Sequence, residues 1–473
     1  MYPRDPSLVR LLAIALVPAF ASASRADDPA VVGKWVAPKP WPVIGIHAAM
    51  MPSGEVLHYS FPGGGPGSVA MTWDFETQIF TETPVNTDVF CSGLSLLPNG
   101  RLLVTGGNDY GCQFQGRFDT YRFDPFTRTW TQGANLRRAR WYPTNIRLAD
   151  NQTLVVSGLN RNCATTPVME VIKPGQDPQI VPGGERYLSL YPWMHLLSDG
   201  RVAHVGPEAE TYTFDPANPA WTYVTNANDG YRFNGTSVLV PNQPDAVLAI
   251  GGTSFSGVTN TVERIDFNDD PPAWEYASAM SHARQHANAV ILPDGNVFVI
   301  GGGLTNEYED PVLIPEMYDP DTDTWTEMAP HVYSRMYHST AVLLPSGRVL
   351  CAGQDLGESA LFAEVYRPPY LFHGPRPVIG SAPAVVHYGQ TFAVQTAQAA
   401  EIASVVLIAP SNVTHSVNTG QRYVPLAFTI NGSNELLVTA PSNPNAAPRG
   451  YYMLFILNDL EVPSRAVFVR MRP

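Results

Sequence analysis

The sequence predicts an all-β chain: a seven-bladed β-propeller of kelch type followed by a C-terminal immunoglobulin-like β-sandwich. Three observations predict it. A hairpin-like phrase recurs seven times at intervals of 45 to 52 residues. With 38 Gly and 44 Pro, the chain is interrupted too often for long helices. After residue 376 the repeat stops while period-2 alternation continues.

In chain order, the first element is a targeting segment. Arg4 and Arg10 flank the start of an apolar run from Leu8 to Phe20, and Ala21-Ser22-Ala23 offers small residues to a signal peptidase. The run is too short and too interrupted to span a bilayer. Residues 1–26 therefore read as a secretory signal, and the protein as secreted, to the medium, periplasm or cell wall, with no membrane span.

Residues 27–372 carry the repeat. It reads LLPNGRLLVTGG from Leu96, LLSDGRVAHVG from Leu196, ILPDGNVFVIGGG from Ile291 and LLPSGRVLCAG from Leu343, with looser copies from Met50, Arg147 and Leu239. Its turn residues are Gly54, Gly100, Asn151, Gly200, Asp245, Gly295 and Gly347, the kinds that close a hairpin between short strands. A second half adds a strand, an Asp-Pro turn and a further strand bearing Trp130, Trp221 or Trp325. Four strands in a unit of about 50 residues ending in Gly-Gly make a kelch-type blade, and seven blades close into a ring. Residues 376–473, with alternating stretches at 391–395, 403–408 and 451–457, have the size and pattern of a separate antiparallel sandwich.

Charge narrows the partners. Charged residues are only 15% of the chain, and 42 acids against 29 bases leave a net charge of −13, which repels nucleic acid and anionic membrane surfaces. Four cysteines in this length are no disulfide framework. Cys112 and Cys163 occupy equivalent points of neighbouring blades and would pair only if the blades bring them close. Cys351 lies inside an apolar strand.

Repetition also locates a candidate site. Innermost strands of a propeller line its axis, so equivalent positions converge. The position five residues before each apolar turn pair is Gly45, Cys91, Tyr142, Tyr191, Asn234, His286 and His338, with Tyr337 beside the last. The ring carries a thiol, phenols and imidazoles, and phenol and imidazole together suit a transition metal in tetragonal N,O geometry, which favours Cu(II). The same residues also suit a hydrogen-bonded, water-filled channel, and composition does not choose between the two.

Four separated strings carry a resemblance: FCSGLSLLPNGRLLVTGGND around Cys91, RARWYPTNIRLADNQTLVVSG around Tyr142, SRMYHSTAVLLPSGRVL around Tyr337 and His338, and VTHSVNTGQRYVPL around His415. In this order they resemble the copper radical oxidases, the galactose oxidase and glyoxal oxidase group. The Arg-Trp-Tyr-Pro string and the lack of room for a preceding sugar-binding domain lean towards the glyoxal oxidase side.

The resemblance implies one copper ion. Tyr142, Tyr337, His338 and His415 would be its ligands, and Cys91 and Tyr142 would form a thioether cross-link serving as a radical cofactor. Tyr337 would be the general base, and His415 would reach the axis from the C-terminal domain. Oxidising a small aldehyde or primary alcohol removes two electrons, and one copper accepts only one, so the cross-linked phenol would take the second. Dioxygen would then leave as hydrogen peroxide. Tyr308 is read as a substrate contact, while His286 and Tyr191 are given no ligand role.

One departure stands out. Galactose oxidases place a tryptophan 18 residues after the cross-linked tyrosine; here that position is Asn160. The expectation is that the planar guanidinium of Arg161 stacks in its place and contributes to substrate binding. The expected protein is a monomeric, H2O2-producing copper oxidase. The rivals are a galactose-type sugar oxidase on the same scaffold and a non-enzymatic kelch propeller that binds a protein or glycan.

Overall fold

The computed structural model describes residues 28–109 and 114–473; the expected signal segment and Cys112 lie outside them. Its secondary structure is almost entirely β. Seven antiparallel sheets follow one another along the chain, and each is built on a hairpin of the repeated phrase. Their innermost strands, from His47–Met50 in the first blade to Ser339–Leu343 in the seventh, form a ring of neighbours. The turn residues explain the repeat: all seven have positive φ, between 69° and 93°. That conformation is cheap for Gly and tolerable for Asn and Asp.

Closure comes from the start of the chain. Lys34–Pro40 pairs antiparallel with Phe362–Arg367 and becomes the outermost strand of the seventh blade. The first and last blades are thereby tied through the segment that runs from Lys34–Pro40 into His47–Met50.

Four blades share a buried ion pair that the repeat had not revealed. Arg140–Glu170, Arg232–Glu263, Arg284–Glu316 and Arg335–Glu364 lie 2.9, 2.9, 2.6 and 3.1 Å apart, all but sealed from solvent. Each arginine stands two or three residues before a ring position. Each also donates to a carbonyl at the small-residue end of the second strand: Ser157, Gly251, Gly301 and Gly353. Each glutamate accepts two backbone N–H groups of the segment leading to the ring, as Glu316 does from Ser281 and His282. The glycines admit the next blade: at Gly301, with φ of 74°, a Cβ would fall 2.1 Å from the Arg335 carbonyl oxygen.

The C-terminal sandwich pairs a five-stranded sheet with a three-stranded one. It departs from the expected all-antiparallel pattern at one edge, where Val385–His387 runs parallel to Val467–Arg472. Nor is it separate. In Ile402–Ala409, Val405 and Leu407 enter the sandwich core while Val406 and Ile408 join the propeller core. Gly450–Asn458 does the same: Tyr452, Leu454 and Ile456 face one way, and Met453, Phe455 and Leu457 the other. A sheet buried on both faces reads as a continuous apolar run, which is what these strands show.

The buried pairs generate a prediction. Glu316→Ala leaves the Arg284 guanidinium unpaired in the interior, which costs ~3–5 kcal/mol. Glu327→Ala, which removes a half-exposed partner of His282, stays within ~0.5 kcal/mol. Denaturant unfolding of both variants checks the contrast.

Candidate metal centre

The site is built on backbone strain. Of the seven ring positions, the six that are not glycine all have positive φ: Cys91 61°, Tyr142 62°, Tyr191 47°, Asn234 57°, His286 62° and His338 66°. Asn and His tolerate this region; for Tyr and Cys it is uncommon. The ring residues also clasp one another. The amide of Tyr142 donates to the Cys91 carbonyl (2.9 Å), that of Tyr191 to Tyr142 (2.9 Å), and that of His286 to Asn234 (2.7 Å).

A left-handed residue breaks the alternation of a strand, so its predecessor turns to the same side. Trp141 therefore stacks on Tyr142, centroids 3.6 Å apart and planes 8° apart. Tyr337 stacks on His338 at 3.8 Å and 26°. These two dipeptides face each other: the Tyr142 and Tyr337 hydroxyls are in hydrogen-bond contact, and His338 Nε2 lies 3.4 Å from the Tyr142 oxygen.

His415 arrives from the sandwich. Asn412–Thr414 pairs with His47–Met50 as an extra strand on the inner edge of the first blade. A two-residue turn follows, with His415 at φ 49° and Ser416 at φ 66°. Thr414 and Val417 close it with reciprocal bonds of 3.1 and 2.8 Å. The segment is held inside the ring by Thr236 Oγ1 donating to the Ser416 carbonyl (2.6 Å). Gln421 adds two bonds to the backbone of Ile291 (2.9 and 2.8 Å). There the His415 ring meets Tyr142 at 4.4 Å, Tyr191 at 4.7 Å and His338 at 4.4 Å between centroids.

Cys91 is fully buried and clusters with Trp141 and Tyr142, its thiol within reach of a hydrogen-bonding interaction with Tyr142. Its amide donates to His47 Nε2 at 3.0 Å, and the His47 ring stacks on Tyr59 at 4.3 Å. His47 was not singled out from the sequence; it sits two residues after the ring glycine, a place no ring argument reaches.

The donor set fits a copper ion. The ligand atoms of Cys91, His338 and His415 lie within 4.8 Å of one another, with the two phenol oxygens beside them. His338 Nδ1 stands 2.8 Å from Asp355 Oδ2. A carboxylate can only accept, so the proton is assigned to Nδ1 and the Nε2 lone pair faces the site. Thr414 Oγ1 lies 2.6 Å from His415 Nδ1, while His415 Nε2 is buried without a hydrogen-bond partner. Two imidazole nitrogens and two phenol oxygens match the N,O preference of Cu(II).

Burial sets the charge state. Desolvation, with smaller contributions from neighbouring imidazoles, holds His415 and His47 well below the usual histidine range, and burial holds His286 down to about 3. These imidazoles are neutral, as metal donors must be. Desolvation pushes the Tyr142 and Cys91 groups well up, and Tyr337 likewise.

The remaining expectations divide. Tyr308 meets Tyr337 edge-on at 6.2 Å and interacts with Asp355. Arg161 does not stack on Tyr142: its side chain is 55% exposed, pairs with Asp109 at 3.0 Å and lies over Phe118 at 5.5 Å. Asn160 is engaged in its own turn, accepting from Asn162 and Ala164, and that turn carries Arg161 outward. The face of Tyr142 is covered instead by Trp141, itself backed by Phe114 at 4.8 Å. Cys163 is disulfide-bonded; its expected partner, Cys112, lies outside the described residues. Cys91 and Cys351 are free thiols.

Comparison with known proteins gives the chain's family and fold. Residues 68–369 match the family described as Glyoxal oxidase N-terminus, and residues 376–471 the Galactose oxidase-like, Early set domain. A galactose oxidase from Gibberella zeae is 29% identical, over 97% of this chain and 73% of its own length. An aldehyde oxidase GLOX from Vitis pseudoreticulata is 30% identical, over 85% of each. In fold, the chain is similar to a solved fungal alcohol oxidase of the AA5 family in complex with copper. The TM-score is 0.84 at 24% identity, covering 93% of this chain and 100% of that one.

Asp355 was invisible to the ring argument because it lies on the loop after the second strand of the seventh blade. Its contact with His338 predicts that Asp355→Ala weakens copper binding ~10–100-fold, read by competition titration against a chelator.

Proposed function

Because this chain belongs to the copper radical oxidase family, the group of glyoxal and galactose oxidases, and is a copper-dependent oxidoreductase, we propose that it is a secreted mononuclear oxidase. It converts small aldehydes of the glyoxal type, or primary alcohols, with O2 into the oxidised product and H2O2. The observation that carries this reading is the convergence of two phenols and two imidazoles from three separate chain segments on one buried point, with a free thiol beside one phenol. A binding propeller has no use for that arrangement.

When bound, copper supplies a one-electron acceptor and a positive charge that makes neighbouring hydroxyls more acidic. His338 and His415 would hold it with Nε2, and Asp355 and Thr414 fix those rings from behind. Tyr142, once its ring is joined to the Cys91 sulfur, would be the second one-electron acceptor, and Trp141 and Phe114 cover its face against water. Tyr337 lines the cavity that leads to the site; ionised by the charge of the bound metal, its phenolate oxygen would take the substrate hydroxyl proton. The balance for an alcohol is RCH2OH + O2 → RCHO + H2O2, with two electrons and two protons passing from substrate to dioxygen. Export rests on the apolar run from Leu8 to Phe20; no helix among the described residues is long and apolar enough to cross a membrane.

Peptide mapping after aerobic incubation with copper tests the centre. The Cys91 and Tyr142 peptides are expected fused and lighter by two hydrogens, whereas Cys91→Ser binds copper, gives no fused peptide and releases no peroxide. Separate peptides in fully copper-loaded wild-type protein overturn the radical mechanism.

A further inference from the structure

A cavity of about 350 Å³ leads to the site, lined at its inner end by Tyr142, Tyr337, His286 and His415. That volume is at the low end of the ~300–1,000 Å³ usual for small-molecule pockets. Its walls follow from the ring: where a ring residue is left-handed, its predecessor also turns to the axis. Leu190 precedes Tyr191 and Phe233 precedes Asn234, and both line the cavity, joined by Trp193 and Tyr231. Tyr231 and Phe233 lie parallel, centroids 6.0 Å apart and planes 12° apart, and Phe233 is 51% exposed. The outer wall is thus an aromatic surface open to solvent.

Several polar side chains of the cavity wall are already engaged: Tyr191 donates to the Ser92 carbonyl, Asn234 Nδ2 to Gln285 Oε1, and the Ser189 and Tyr231 hydroxyls meet at 3.5 Å. No lysine or arginine among the described residues lines the cavity, and its one ionic side chain is the exposed carboxylate of Glu307. An anionic substrate such as a 2-oxo acid finds no counter-charge from the protein walls. A sugar brings several hydroxyls, and any that enter without a partner lose hydration uncompensated. One polar atom is conspicuous. His286 is 4% exposed, and its Nε2 has no hydrogen-bond partner. Its ring stands 5.0 Å from that of Tyr337.

Resting on the oxidase reading above, we infer that this cavity selects uncharged primary alcohols, or the matching aldehydes, that carry a planar apolar body. The body lies against Phe233 and Trp193, and the reacting oxygen is oriented between His286 Nε2 and Tyr337. For benzyl alcohol the step is C6H5CH2OH + O2 → C6H5CHO + H2O2, the hydroxyl proton passing to the Tyr337 oxygen, ionised beside the bound metal, and two electrons and two protons finally to dioxygen. His286 is a positioning residue in this scheme.

The test compares peroxide release from benzyl alcohol, 1-propanol, galactose and glyoxylate by the copper-loaded full chain. It is paired with ligand-observed NMR of benzyl alcohol and galactose binding to the same protein. Benzyl alcohol is expected to lead in kcat/KM by at least about tenfold, in the range that apolar pocket contacts provide, and to bind where galactose does not. Phe233→Ala lowers the benzyl alcohol to 1-propanol ratio about tenfold and weakens benzyl alcohol binding in the NMR assay. His286→Ala raises KM for alcohols about fivefold, by more than any fall in kcat. Phe255→Ala, at a site 96% exposed and outside the cavity, changes none of these.

Galactose or glyoxylate turned over as well as benzyl alcohol overturns the inference and leaves the oxidase reading standing. Benzyl alcohol binding that Phe233→Ala does not weaken overturns the inference whether or not peroxide forms. Peroxide from none of the four substrates, in protein whose Cys91 and Tyr142 peptides are fused, overturns the oxidase reading and this one together.

Discussion

The left-handed backbone at the head of six of the seven innermost strands is the constraint on which the rest of the structure depends. Six non-glycine residues adopt it around the ring, each at a cost of ~1–3 kcal/mol. The cost is offset locally by the amide-to-carbonyl bonds that run from Tyr142 to Cys91, from Tyr191 to Tyr142 and from His286 to Asn234. At Tyr142, Asn234, His286 and His338 it is offset more broadly by an arginine two or three residues upstream, each buried against a glutamate. Those pairs fix the approach of the chain to the axis, so the segment cannot relax into an ordinary strand. The strain gives position in return. A regular strand would send alternate side chains to opposite faces, whereas here two consecutive side chains point at the axis. Trp141 with Tyr142 and Tyr337 with His338 are the result.

The same conformation delivers the donor from the other domain. His415 and Ser416 both have positive φ in a two-residue hairpin turn, a geometry that ordinarily selects Asn-Gly. A tight turn is what allows a chain segment to end inside the ring without filling it. The segment stays there because its strand is paired to the first blade and its parent sheet is buried on both faces. Val406, Ile408, Met453 and Phe455 weld the sandwich to the propeller, so the distance from His415 to the ring tyrosines is fixed by a common core and not by a linker.

Much of this was legible in the sequence. The hairpin phrase reports a local requirement, a left-handed turn residue between apolar strands, and local requirements leave regular traces; hence the seven blades and the ring positions Cys91, Tyr142 and His338. His415 was accessible only through resemblance, because its pairing with the first blade spans more than 350 residues and leaves no periodic mark. The parallel edge strand and the shared core were missed for a similar reason: alternation says that a strand has two faces, not what covers each. Arg161 was misread by transferring a distance along the chain, when the turn at Asn160 carries the following side chain outward. Trp141 was in plain view in the Arg-Trp-Tyr-Pro string, but period-2 reasoning puts neighbours on opposite faces, and only the sign of φ at Tyr142 reverses that.

The replacement of a distant tryptophan by an adjacent one has a physical consequence for Tyr142. A shield carried on another loop can move independently of the ring it covers. Trp141 is joined to Tyr142 by one peptide bond and anchored through its own backbone, which pairs with Leu159 in both directions, so the stack at 3.6 Å cannot open without disturbing the strained residue itself. Phe114 backs the indole from the outside. The phenol therefore has one face closed by a rigid aromatic pair, while its oxygen touches Tyr337 and its edge meets His415. In this protein, the shielding and the placement of the phenol are two effects of one backbone dihedral: a change that relaxed Tyr142 into an extended conformation would remove the cover and the phenol oxygen together.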